Sequence, residues 1–422
     1  MRPPGRRGTT SNESGLTLIE LVIAISVFAV MAGGIASTAS SGLNLIRNDR
    51  NRSVAANLAS QEMDEIRQTD FASLPLSGLT TATRTVDGVP YEVERSFDFV
   101  ATNATTSACD SLSSAPEILR ATVRVRWNSM GSIPPVQSNT VITPPVGSFD
   151  PSKGNVAVKI SDRDPGVLPE NIAGVWVFLV GPGVNESVQT TAEGCGFFAQ
   201  VPPGTYTVQL GSTGWVDRQG TEGPTQTAGV TAGATTAVGF DYDQAATIQA
   251  TLTAAGGGTL PSSSWATIPI VLGNTDFLPT GTKEFSGTGT VRTLASLFPS
   301  STGYTARAGA CDDAVNVEDS LTVTSNSTTN ATVPLATVDV QFSEFAVDGP
   351  DDIVAVHAPD SGCPSGQTIV LGTVAGSVGT LLAALPYGTW ELQVPGKSPV
   401  GSWPTVTLDP SGAPVTFVSV QV

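Results

Sequence analysis

The chain has 422 residues, with 44 Gly, 30 Pro, 6% aromatic side chains and a formal net charge of −17. That length implies two to four domains, and the Gly/Pro content beside many Thr, Ser and Val residues fits short strands joined by turns rather than helical bundles. Residues 1–68 hold seven basic and six acidic side chains, so the negative excess lies beyond them. This argues against nucleic-acid binding, which needs clustered positive charge to meet phosphates.

The first element is apolar. Leu16 to Ala32 contains one ionisable group, Glu20, and the run extended to Ala39 is long enough to cross a bilayer. Arg2, Arg6 and Arg7 lie upstream, which keeps the N-terminus cytoplasmic and places the chain beyond about residue 40 outside the membrane. A secretory signal peptide cut at "ASTAS", near Ala39, is one reading of this pattern. Glu20 favours another. A carboxylate in hydrocarbon costs several kcal/mol if unpaired, so such residues are usually functional, and a discarded signal would gain nothing from it.

"SGLTLIELVIAISVFAV" resembles the N-terminus of type IV prepilins and pseudopilins. The resemblance implies that a membrane-bound prepilin peptidase cuts between Gly15 and Leu16 and methylates Leu16. Glu20 becomes the fifth residue of the mature chain, where its carboxylate neutralises the new α-ammonium of a neighbouring subunit and guides docking. Because the cut precedes the apolar run, the run stays as membrane anchor and later as fibre core. Gly33-Gly34 interrupts it, either for close helix packing or as a place where the helix stretches on assembly. The implied partners are the prepilin peptidase, other pilin subunits through the helix, the inner-membrane assembly platform and a surface ligand of the head. No cofactor, metal or catalytic residue is implied.

From Asn44 to about Gln68 the helical pattern continues. Val54, Leu58, Met63 and Ile66 form an apolar stripe, with Arg47, Arg50, Arg52, Glu62, Asp64 and Glu65 between them. "GVPYEVERSFDFV", "ILRATVRVRWNS" and "SNTVITPP" then read as strands, with Val123, Val125 and Trp127 on one face and Arg124 and Arg126 on the other. Helix, hairpin and strand in this order resemble the small head of minor pilins and of type II secretion pseudopilins.

"TPPVGSFDPSKG" (143–154) reads as a linker. Beyond it a phrase recurs: "PPGTYTVQL" from Pro202 and "PYGTWELQV" from Pro386, with a weaker copy, "PSSTGYTARA", from Pro299. Pro and Gly make a tight turn and the aromatic plugs the space between two sheets, so the spacing predicts three units of similar fold. The first copy resembles prealbumin-like or carboxypeptidase-regulatory-like β-sandwiches. The Ser/Thr/Asn-rich run at 324–332 reads as a poor core segment.

The fold class expected is mainly β with one long N-terminal α-helix: a pilin-like α+β head followed by tandem β-sandwich domains. The expected parts are leader 1–15, helix 16–68, pilin-like head 69–148, and sandwiches 149–245, 246–336 and 337–422. Four cysteines permit disulfides in an exported chain. Cys311 follows the middle aromatic phrase and Cys363 precedes the last, so their pairing, which would tie the last two units together, is expected, with Cys109 and Cys195 as the remaining pair. His357 is the only histidine and reads as an ordinary strand or surface residue. Lys153 and Lys159 lie near a first strand without an evident cross-linking partner, and the pairs Asp162/Asp164, Asp312/Asp313 and Asp351/Asp352 follow no EF-hand spacing, so turn residues are favoured over calcium ligands. The function expected is a non-enzymatic minor type IV pilin, anchored in the cytoplasmic membrane and displayed on the cell surface, with a large head suited to a tip or sparse position. The alternatives are a pseudopilin of a type II secretion-like or DNA-uptake machine, and a secreted β-sandwich protein.

Overall fold

The computed structural model describes residues 18–100, 109–110, 118–128, 130–131, 133–162, 170–312, 320–343, 350–359, 362–363, 366–375, 378–410 and 415–422. The chain is mainly β with one long N-terminal helix, and it divides into two units.

The first unit takes in helix α1 (Leu18–Gln68) and residues 80–95 and 121–140. The latter form most of a sheet of β1 (Gly78–Val86), β2 (Val89–Val100), β3 (Ile118–Trp127) and β4 (Val136–Ile142), in that spatial order. No proline interrupts α1, Glu20 and Arg67 complement its dipole at opposite ends, and Thr69 closes its last turn by donating N–H and Oγ1 to Glu65 O. The C-terminal half of α1 buries Ala55, Ala59, Glu62, Met63 and Ile66, three or four residues apart, while Val54 and Leu58 are half-buried. The inward stripe is thus rotated from the expected one. Two alanines on it let the helix backbone sit close to the sheet, and a charge on it is matched: Glu62 accepts from Arg84 Nε at 3.2 Å and Arg95 Nε at 2.6 Å. Burial alone lowers the Arg95 pKa, but Glu62 and Glu65 outweigh that and hold it above its ordinary value. Tyr91, Val93, Val123, Val125 and Trp127 supply the sheet's buried face.

The second unit contains residues 75–79, 96–120 and 141–422. Its first part is a two-sheet sandwich. One sheet runs β11 (Trp215–Asp217), β13 (Thr235–Gln244), β5 (Gly154–Asp162), β6 (Glu170–Asn171), with β9 (Cys195–Val201) also on β5. The other runs β12 (Thr225–Val230), β10 (Gly204–Leu210), β7 (Trp176–Gly181), β8 (Val184–Gln189). Alternating inward residues such as Val156, Val158, Ile160, Val177, Leu179, Tyr206 and Val208 fill the space between. Gly194 is required before β9: its φ is +67°, and an added Cβ would stand 2.3 Å from Ile160 O.

The remainder is built from β14 (Ala246–Ala254), β15 (Ile270–Gly273), β16 (Thr282–Phe285), β17 (Val291–Leu297), β18 (Ser300–Ala308), β19 (Leu321–Val323), β20 (Thr328–Ser343), β21 (Asp351–His357), β22 (Gln367–Val374), β23 (Val378–Leu385), β24 (Gly388–Gln393), β25 (Thr405–Leu408) and β26 (Val415–Gln421). Two four-stranded sheets, β16–β15–β18–β19 and β22–β21–β24–β25, accompany a third, β17–β14–β20–β23, with β26 also on β20. The 16-residue β20 is the shared element. Its first half pairs in parallel with β14 (Thr247↔Thr328 to Ala254↔Leu335) and its second half in parallel with β26 (Thr337↔Val415 to Ser343↔Gln421). The strand passes through the 336/337 boundary, and one hydrophobic cluster reaches from Ala246 to Val420. The Ser/Thr/Asn-rich run does contribute to this core: alternation within β20 buries Ala331 and Val333 while Asn330 and Thr332 face outward.

Candidate assembly site on the N-terminal helix

Gly15 and Leu16 lie outside the described residues; Glu20 lies in the first turn of α1. The 18 residues Leu18–Ile35 have a mean hydropathy of 2.4 and bury none of their surface within this chain. Their length, about 27 Å at 1.5 Å per residue, approaches the ~30 Å of a bilayer's hydrocarbon core. Exposed Leu43, Leu45 and Ile46 extend the apolar surface to about 42 Å, the depth of a bilayer with its headgroup layers, and Arg47, Arg50 and Arg52 follow at once.

Two hydroxyls along the helix, those of Ser26 and Thr38, are satisfied by the helix itself. Ser26 Oγ donates to Val22 O at 2.8 Å, and Thr38 Oγ1 reaches Gly34 O at 2.8 Å and Ile35 O at 3.0 Å. Such back-bonding removes the cost of a hydroxyl in an apolar medium. Glu20 is the one ionisable side chain of Leu18–Ile35, and a carboxylate in an apolar medium is costly enough that it marks a functional position. Gly33 and Gly34 meet nothing within 4 Å of an added Cβ, so packing within this subunit does not demand them.

The other candidate residues fall elsewhere. Cys311 is bonded to Cys363, and Cys109 to Cys195. His357 is buried on β21, its Nδ1 2.9 Å from Ala358 O and its ring edge-on to Trp390. Ligand atoms of Cys311, His357 and Cys363 lie within 4.8 Å of one another, but both sulfurs are used in the S–S bond, and metals take thiolates. Lys159 Nζ is 2.8 Å from Asp110 Oδ1 and donates to Glu193 O at 2.8 Å. Of the acidic pairs, Asp164 and Asp313 lie outside the described residues. Asp162 accepts from Glu170 N, Asp312 pairs with Arg307, Asp351 with Lys397, and Asp352 accepts from Thr373 Oγ1.

An apolar helix long enough to span a bilayer, with one acid in its first turn and a β-rich chain behind it, defines a class of helix-led β proteins. Residues 10–36 match the family model described as the prokaryotic N-terminal methylation motif, and the chain accordingly carries a prepilin-type N-terminus. No curated protein matches the sequence. Among solved structures, the chain is similar to the Bacillus anthracis TIE protein (12% identity, 87% of this chain and 78% of that one, TM-score 0.21). It is also similar to GBS52, the minor pilin of Streptococcus agalactiae (11%, 43% and 94%, TM-score 0.20), and to BcpA, the major pilin subunit of Bacillus cereus (10%, 64% and 99%, TM-score 0.19). Likenesses at such scores carry no weight for the function of this chain.

Proposed function

We propose that the chain is a minor type IV pilin, held in the cytoplasmic membrane by α1 with its N-terminus inside, cut between Gly15 and Leu16, methylated on Leu16, and assembled into a pilus through its helix. The observation that carries this reading is the position of Glu20, in the first turn of an apolar helix and inside the methylation motif. A cut before Leu16 makes an α-ammonium at the same depth of a neighbouring helix. Two opposite charges that meet in hydrocarbon offset each other's desolvation, which fixes the stagger of one helix on the next. Prepilin peptidase and the assembly platform are the partners this needs, and the chain's own role is structural.

The parts of the proposed subunit are the leader 1–15, helix 16–68, head 69–148 and sandwich units 149–245, 246–336 and 337–422, the last two joined by β20. A head this large crowds neighbours if every subunit carries one, which favours a tip or sparse position. N-terminal sequencing and mass analysis of the mature protein test the processing: a methylated Leu16 supports it, and a start at Ser40 overturns it in favour of secretion. Glu20→Ala tests the assembly: subunits then stay in the membrane fraction and leave the sheared fibres. Undiminished incorporation of that variant overturns the role of Glu20, and recovery only in a short periplasmic fibre overturns the pilus in favour of a secretion pseudopilus.

A further inference from the structure

We propose that the outer face of the sheet β12–β10–β7–β8 is a binding platform for a neutral polysaccharide. It deepens the reading of the chain as a displayed subunit by naming the ligand class of its head.

Inward residues of β7 are buried, so by the two-residue period Trp176, Phe178 and Val180 share the opposite face. Trp176 is 43% and Val180 45% exposed. Cross-strand register sets Ser187 and Gln209 on either side of Phe178, and Thr207 beside Val180. Among the described residues, the outward positions of these four strands carry no charged side chain; the acid of β8, Glu186, stands opposite inward-facing Leu179.

The aromatic pair is fixed in advance. Trp176 Nε1 donates to the Gln189 amide oxygen at 3.2 Å, with the amide turned so that its nitrogen donates to Leu79 O at 3.2 Å. Phe178 lies over Gly211, where an added Cβ would stand 2.5 Å from its Cε2. The two rings are 26° apart in plane, with centroids 6.4 Å apart. Trp176 is thus an indole with much of its surface exposed and its N–H already bonded, which leaves apolar ring surface for a ligand.

The chemistry around that face selects the ligand. The apolar C–H side of a sugar ring stacks on the electron-rich face of an aromatic ring, while its hydroxyls need donors and acceptors such as Ser187, Thr207 and Gln209. Phosphate, sulfate or uronate groups find no Lys or Arg there to pair with, and the chain's net charge of −17 repels them. Four strands about 4.8 Å apart make a surface roughly 14 Å across, wider than one sugar ring.

The test uses the full-length chain in detergent micelles, run by affinity electrophoresis through gels holding mixed-linkage β-glucan, galactomannan, dextran or soluble starch, with alginate as the anionic control. Expected is retardation by at least one neutral polymer and not by alginate, weakened roughly tenfold by Trp176→Ala and by Phe178→Ala at unchanged thermal midpoint. Should either variant unfold, Val180→Glu and Thr207→Glu, which place charge on exposed positions, are expected to abolish the retardation of the folded chain. Retardation by none of the four neutral polymers, by alginate alone, or within about twofold of wild type in the folded variants overturns the proposal, as does capture of a protein ligand that leaves all four gels unaffected. None of these results bears on processing at Gly15 or on Glu20, so this platform and the pilin reading fail separately.

Discussion

The indole N–H of Trp390 donates to the carbonyl oxygen of Pro386 at 3.0 Å, four residues back. Tyr206 makes the same reach to Pro202 at 2.9 Å, and Tyr304 reaches Phe298 O at 2.6 Å. All three rings are buried. The recurring phrase is therefore a knot: a turn whose carbonyl anchors the polar tip of the aromatic that fills the core behind it. Tyr206→Phe, which removes only the hydroxyl, is expected to cost about 1–2 kcal/mol. Trp390→Ala, which opens a cavity, is expected to cost about 3–5 kcal/mol. Urea titration measures both, and a larger loss for Tyr206→Phe than for Trp390→Ala contradicts the account.

Glu62 is expected to be the most sensitive charged residue of α1. Its side chain is 6% exposed and serves both Arg84 and Arg95. Breaking a fully buried pair costs about 3–5 kcal/mol; because Arg84 is half exposed and Arg95 partly so, Glu62→Gln is expected to cost on the order of 2 kcal/mol. Arg50→Ala, at an exposed pair with Asp87, is expected to fall below about 1 kcal/mol. Equal losses for the two variants argue against the buried pairing.

The two disulfides close long stretches of chain, with sequence separations of 86 for Cys109–Cys195 and 52 for Cys311–Cys363. Chain entropy assigns each roughly 4–5 kcal/mol, slightly more to the longer. Serine replacement of either pair is expected to lower the denaturation midpoint by similar amounts. A pair whose removal leaves the midpoint unmoved is not bonded in the native chain.

Stability is expected to respond to alkaline pH in two opposed ways. Burial lowers the pKa of Lys283, partly countered by Asp217; its Nζ lies over the rings of Phe277 and Phe285. Between its lowered native value and 10.5 the unfolded chain binds more protons, so stability rises with pH. Burial raises the pKa of Tyr242, so above 10.0 the unfolded chain ionises first and stability falls. Lys283→Met is expected to flatten the rise and keep the fall, read as urea midpoints across the alkaline range. An unchanged slope below 10.0 sinks this assignment.

Gly33→Ala and Gly34→Ala meet no atom of their own subunit, and alanine favours a helix by about 1 kcal/mol per site. The isolated subunit in detergent is expected to keep or gain helix content by circular dichroism, while recruitment into fibres falls. Reduced stability of the isolated subunit is the result that rules this out.

The sequence showed the helix and its acid plainly because one charge in an apolar run has few meanings, and α1 ends at Gln68 as its pattern implies. The aromatic phrases were legible because Pro, Gly and a ring at fixed spacing specify a turn and a plug. The rotation of the inward stripe was not, since small Ala55 and Ala59 give no hydropathy signal and Glu62 reads as solvent-facing until Arg84 and Arg95 are seen above it. The reach of β20 was hidden by its Thr/Asn-rich start, where tertiary pairing outweighs local composition. Trp176 and Phe178 stand at outward positions of "VWVFLV", yet alternation alone cannot say which side of a strand faces solvent.

The pairing of β20 also sets how residues 246–422 bear load. A pull between the two ends of this segment enters β14 at its start and leaves β26 at its finish, and both strands run in the same direction as β20. The ladders are then dragged lengthwise, with all their hydrogen bonds strained together instead of peeled one by one. Under tension the segment is therefore expected to hold as one piece, which single-molecule force extension would show as one rupture in place of a series.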